Sequence, residues 1–77
     1  MSTQSTLTLR PATAADAVDL HRLAALDSAR DLGGDVLLAE VDGRPVAALS
    51  PAEGRVVADP FTYSDHAVAL LRARVAA

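Results

Sequence analysis

The stretch "DVLLAEVDGRPVAALS", residues 35–50, restricts the possible folds more than any other part of the chain. Two apolar runs of strand length flank Asp42-Gly43, a dipeptide that tolerates the positive φ demanded by a tight two-residue turn. Strands near 36–41 and 44–50 are therefore expected to pair antiparallel. A second turn, "SPAEG", supplies Pro51 and Gly54 and returns the chain into "RVVAD" (55–59), a third meander strand that Pro60 closes.

On the N-terminal side, residues 1–5 are polar and expected to be disordered, so a single domain should occupy 6–77. "TLTLR" (6–10) alternates polar and apolar residues as a half-buried strand does, and Pro11 should end it. Thr13 then has the character of an N-cap, with Asp16 three residues on completing an acidic variant of the capping box. The helix that follows should run to about Arg30, burying Ala17, Leu20, Leu23, Ala24 and Leu26. Asp16, Asp19 and Arg22 fall on its wet side, and Gly33-Gly34 supply a stop signal. After Pro60, Thr62 or Ser64 should cap a last helix whose Ala67, Val68, Leu71 and Val75 face the sheet. The resulting order, β-α-β-β-β-α, predicts an α+β fold: a four-stranded, mostly antiparallel sheet with two helices packed on it.

A domain of 77 residues buries only about 60% of the surface its unfolded chain exposes. The apolar set here is rich in alanine, with one Phe, one Tyr and no Trp, so such a core should supply roughly 3–5 kcal/mol. Cysteine is absent, which removes disulfides and thiolate metal sites as reinforcement and leaves self-association as the expected staple, in the form of a homodimer. Formal net charge is −3, and all seven basic residues are Arg. A mildly acidic domain gains little from phosphate neutralisation, so nucleic acid is not an expected partner. Arg72 and Arg74 instead suit the negative end of the last helix. No apolar run approaches the roughly 20 residues that span a bilayer. No leader pattern opens the chain, so a cytoplasmic protein is expected.

"LTLRPATAADAVDLHRLAAL", "VLLAEVDGRPVAALS" and "RVVADPF" together resemble the N-terminal half of the GNAT acyltransferases: a first strand ending Arg-Pro-Ala-Thr, a helix with Ala-Asp-Ala near its start, and a Val-Asp-Gly-x-Pro-Val-Ala hairpin. The likeness covers residues 7 to about 74. It implies a GNAT-like half-domain and raises acetyl-coenzyme A as a cofactor. Relatives place a glycine-rich loop ahead of the final helix, where backbone amides bind pyrophosphate. Here that loop reads Tyr63, Ser64, Asp65, His66; the resemblance puts Tyr63, Asp65 and Ala67 where glycines would be expected, and the Asp65 carboxylate repels phosphate. The strands and helix that complete the cleft in relatives have no counterpart in these residues.

Catalysis would need a base. Glu40, Glu53 and Asp59 are the candidates; Asp59, at the end of the strand leading into the loop, is the best placed, although an Asp before Pro is ordinarily a turn or capping residue. His21 and His66 stand apart on separate helices without a second ligand at helical spacing, so no metal site is expected. Phe61 and Tyr63 read as packing anchors or interface residues. The expected reading is a non-catalytic GNAT-like module, self-associating or binding a protein partner. The expected interface is the open edge of strand 55–59 with the last helix, through Val56, Val57, Phe61, Val68 and Leu71. The alternative is a minimal acyltransferase or acyl-coenzyme A binder whose cleft is completed by dimerisation.

Overall fold

The computed structural model describes residues 6–62 and 64–76. Its elements are β1 (Leu7–Pro11), a single 3-10 turn (Ala14–Asp16) running into α1 (Ala17–Leu26), β2 (Leu37–Val41), β3 (Arg44–Ser50), β4 (Arg55–Ala58) and α2 (Asp65–Ala76). The strands form one sheet in the order β1-β2-β3-β4. All three pairings are antiparallel, so the expected α+β architecture and element order are both present.

The central hairpin forms as its sequence dictates. Val41 pairs with Arg44, leaving Asp42 and Gly43 as the two turn residues, with φ of 51° and 79°. Positive φ at both central positions matches the right-handed twist of the flanking strands. Beyond the turn, Ala39 pairs with Ala47 but Glu40 with Pro45, so Val46 is an extra residue on β3. This bulge turns the consecutive side chains Val46 and Ala47 toward the same face of the sheet.

Side chains alternate across the strands, and each face carries its own core. On one face, Leu23 and Ala24 of α1 pack with Val36, Leu38, Ala48 and Val57. On the other, Ala67 and Leu71 of α2 pack with Ala39, Val46, Ala47 and Leu49. The helices therefore lie on opposite sides of the sheet, α1 over β3 and β4 and α2 over β2 and β3.

Several local expectations are corrected. Helix α1 ends at Leu26 rather than near Arg30, and Gly33-Gly34 do not stop it. Ser28 takes a left-handed φ of 53°, its N–H donates to the Ala25 carbonyl at 3.1 Å, and the Ala29 N–H donates to the Ala24 carbonyl at 2.8 Å. These are the two bonds of a Schellman terminus, with Ala29 packed on the α1-side core. The first strand spans Leu7–Pro11 rather than 6–10, and Pro11 ends it as its last residue, paired with Leu37. Asp16 is buried rather than solvent-facing, and Ala17 is exposed rather than part of the buried stripe. Of the two roles read for Phe61, packing anchor or interface residue, the first is excluded, because its side chain is 83% exposed.

Candidate functional site

The three candidate bases belong to three groups of side chains, each built by a different junction of the fold, while His21 pairs separately with Asp31 at 2.9 Å on the exposed surface. The first lies where β1 hands over to α1. Arg10 projects from the α1 side of β1, and its guanidinium meets two carboxylates at once. Its two terminal nitrogens donate to Asp16 at 2.8 and 2.9 Å, while Nε and Nη2 donate to Glu40 at 3.1 Å each. The Thr13 N–H also donates to Asp16 Oδ2 at 2.7 Å, the backbone half of a capping box. Arg10 and then the Thr13 amide hold the Asp16 carboxyl well below the usual carboxylate range. The two carboxylates in turn, Asp16 ahead of Glu40, hold the guanidinium charged far above its ordinary value. Glu40 is thus engaged by a planar, bidentate partner.

The second group ties the long segment after α1 to the turn between β3 and β4. Ser50, fully buried, donates through Oγ to the Gly33 carbonyl at 2.6 Å and accepts from the Glu53 N–H at 3.3 Å. Arg55 donates to the Asp31 carbonyl at 2.7 Å and to Glu53 Oε1 at 2.9 Å. The backbone of Gly33 and then Arg55 lower the pKa of Glu53. A Cβ at Gly33 would stand 2.7 Å from Glu53 Oε2, so the carboxylate would have to shift from its present contacts. Glu53 is a tie between two loops.

The third group contains Asp59, at the exit of β4. Its Oδ1 accepts from the Phe61 N–H at 2.8 Å and its Oδ2 from the Thr62 hydroxyl at 3.0 Å, which shapes the Asp59–Thr62 bend as an Asx turn. Arg22 of α1 approaches Oδ2 at 4.0 Å. Ser64, buried, takes the N-cap position of α2, and its carbonyl accepts the first helical bond from the Val68 N–H at 2.9 Å. Its hydroxyl is directed to the Asp59 carbonyl at 3.5 Å. Asp65 and His66 are exposed in the first turn, and Tyr63 lies outside the described residues. All three candidate bases therefore hold structural hydrogen bonds, and they lie at three separate places in the fold.

Among the described residues, three surface hollows have volumes of about 160, 280 and 190 Å³. Ligand pockets ordinarily run from about 300 to 1,000 Å³. The first hollow borders Arg22, Arg44, Asp59 and Thr62; the second is mainly apolar, between Pro11, Leu37 and Pro51. No three His, Asp or Glu side chains among the described residues are grouped to hold a metal ion. No helix among them is long and apolar enough to cross a membrane.

The five residues expected at an interface divide by burial. Val57 and Leu71 have no accessible surface and belong to the two cores of the single chain, on opposite faces of the sheet. Val56 and Val68 are half-buried against the α2-side core, and Phe61 alone stands free of it. What the sequence reading missed is on the other side of the molecule. A helix is about 10 Å wide and strands are spaced about 4.8 Å, so one helix covers about two strands. Among the described residues, both helices make their main contacts with β2, β3 and β4 rather than with β1. On the α1 side, the sheet beside β1 carries the Arg10, Asp16 and Glu40 cluster; on the α2 side, β1 and the neighbouring β2 carry Leu7, Leu9, Leu37 and Val41, half-buried at the margin of the α2-side core. The alternation of "LTLRP" signalled the leucines, but only the placement of α2 shows that they sit at the margin of its core and are partly covered.

Comparisons with family models, with curated proteins and with solved structures return no match.

Proposed function

We propose that this chain is a non-catalytic, GNAT-like module of the cytoplasm that works by associating with polypeptides, in the first place with a second copy of itself. The observation that carries this reading is the half-covered sheet. Leu7, Leu9, Leu37 and Val41 form an apolar area beside an outer strand. A single chain of this size gains little by leaving such an area in water, at about 25 cal/mol per Å² of apolar surface. The engagement of Glu40, Glu53 and Asp59 in structural bonds supports a role without acyl transfer, as does the negative, glycine-free approach to α2.

Thermal melts test the reading directly. Anything that binds the folded state and not the unfolded state raises Tm by mass action. Tm should therefore rise with protein concentration and should not respond to sub-millimolar acetyl-coenzyme A. A concentration-independent Tm that rises with acetyl-coenzyme A would replace this reading by an acyl-coenzyme A binder.

A further inference from the structure

The sheet has two outer strands, β1 and β4, and they are finished differently. In β4, the Asp59 N–H donates inward to the Val46 carbonyl, so by alternation Val56 and Ala58 turn their backbone groups outward. That side is guarded. Asp27 accepts from the Ala58 N–H at 3.2 Å, and Arg55 runs alongside to the carbonyls of Arg30 and Asp31. Charged side chains laid along an outer strand are a common means of blocking further strand addition.

In β1, the Asp42 N–H donates to Thr6 and the Ala12 N–H to Val36, so the even residues bond to β2 while Leu7, Leu9 and Pro11 turn their backbone groups outward. No group among the described residues bonds to these outward atoms. The one exception is a 3.3 Å approach of Arg10 Nη1 to the Pro11 carbonyl. Arg10, the only charge on the strand, is held toward the α1 side by Asp16 and Glu40 and so does not guard the edge.

We infer that β1 pairs antiparallel with β1 of a second copy about a two-fold axis through Thr8, making one continuous sheet. This deepens the self-association reading by fixing its surface, and rests on it. The register follows from the strand's own pattern. Centred on Thr8, Leu7 of each copy lies opposite Leu9 of the other, and both N–H and both C=O groups of these residues are satisfied across the axis. Thr8 meets its own counterpart, a favourable β-branched hydroxyl pair, and Leu7 and Leu9 gain cross-strand apolar neighbours on the α2 side. Arg10 falls opposite Thr6, so no like charges face each other. Pro11, which has no N–H to donate, ends the ladder beyond this span. A register centred on Arg10 would instead oppose two guanidinium groups. The same strand satisfies every outward group of Leu7 and Leu9 without a charge conflict.

The chain has no cysteine, so a single Thr8→Cys substitution gives an unambiguous cross-link. Residues directly opposite in a non-hydrogen-bonded pair lie about 4.5 Å apart at Cα, within the span a disulfide bridges. Under mild oxidation Thr8→Cys should form a covalent dimer rapidly, whereas Val56→Cys on the guarded strand should not. Thr8→Lys should weaken dimerisation by about fivefold or more through like charges at the axis. Thr8 is exposed and lies opposite Glu40 within the chain, so a lysine there is compatible with folding, which circular dichroism at low concentration verifies. Thr8→Val should retain the dimer. If the unaltered chain dimerises and Thr8→Lys dimerises equally well, the β1 assignment is wrong while self-association stands. If the unaltered chain is monomeric at all concentrations, both fall.

Discussion

Replacing Leu71 by Ala separates a core residue from an interface residue. Leu71 is fully buried beneath α2, against Ala39, Ala47 and Leu49 on the sheet. Removing its isobutyl end forfeits transfer free energy and leaves a cavity, a combined cost of about 3–5 kcal/mol for a site that cannot collapse. Domains hold about 0.05–0.15 kcal/mol per residue, which for this length is about 4–12 kcal/mol, so the loss is a large share of the whole. Small domains have urea slopes near 1 kcal/mol/M, so the midpoint should fall by about 3–5 M, and the melting temperature by about 12–40 °C. Equilibrium urea unfolding followed by circular dichroism, at a concentration low enough to keep the chain monomeric, measures this without interference from association. Leu9→Ala provides the contrast. Leu9 is only half-buried, so its truncation should cost less than about 1.5 kcal/mol in the monomer while weakening the dimer. If Leu71→Ala left the monomer midpoint unchanged and altered only the oligomer distribution, the assignment of Leu71 to the core would be refuted.

Three further outcomes follow from the local geometry. Asp16 has a folded-state pKa depressed below its ordinary 3.8, so its contribution is present above about pH 5 and is lost as pH falls from about 4 through the folded value. Asp16→Asn should therefore be less stable than the unaltered chain at pH 7, with the gap in urea midpoint closing below about pH 4; a gap constant down to pH 2 would contradict the Arg10 pairing. Ser28→Gly relieves a left-handed residue at the α1 terminus and should gain about 0.5–1 kcal/mol after the glycine's extra unfolded-state entropy is subtracted, read as a raised urea midpoint. Gly43→Ala meets no atom within 4 Å but forces alanine to φ 79°, so it should cost about 1–2 kcal/mol from backbone strain alone, again by urea midpoint.

The meander and its helices were legible because their signals are local. Asp42-Gly43 between apolar runs marked the hairpin and its turn, and the three- and four-residue spacing of Ala67, Val68 and Leu71 identified the buried side of α2, although Val75, read on the same side, is exposed. Features that depend on partners distant in sequence were not legible. Asp16 sits at the start of a helix and reads as solvated until Arg10 and Glu40, on two different strands, converge on and near it. The end of α1 was misplaced because a serine, not a glycine, takes the left-handed position, which leaves no compositional mark. The bulge at Val46 has no turn residue of its own. At the candidate site, Ser64 stands at the start of α2, one of the two cap positions read from the sequence, whereas Asp65 and His66, read as loop, belong to the helix's first turn; Asp59 proved to have the turn role its position next to Pro60 suggests. Which apolar residues lack cover was hidden, because the sequence does not say that α1 and α2 take opposite sides of the sheet. That arrangement moves the open apolar area away from β4 and α2's buried Leu71 and toward β1.

Sedimentation equilibrium of the unaltered chain, from micromolar to millimolar concentration, bears most directly on whether this fold is completed by another polypeptide. The average mass should climb from 7.9 kDa toward twice that value, with no change on adding acetyl-coenzyme A. A mass that stays at one chain throughout would contradict the account.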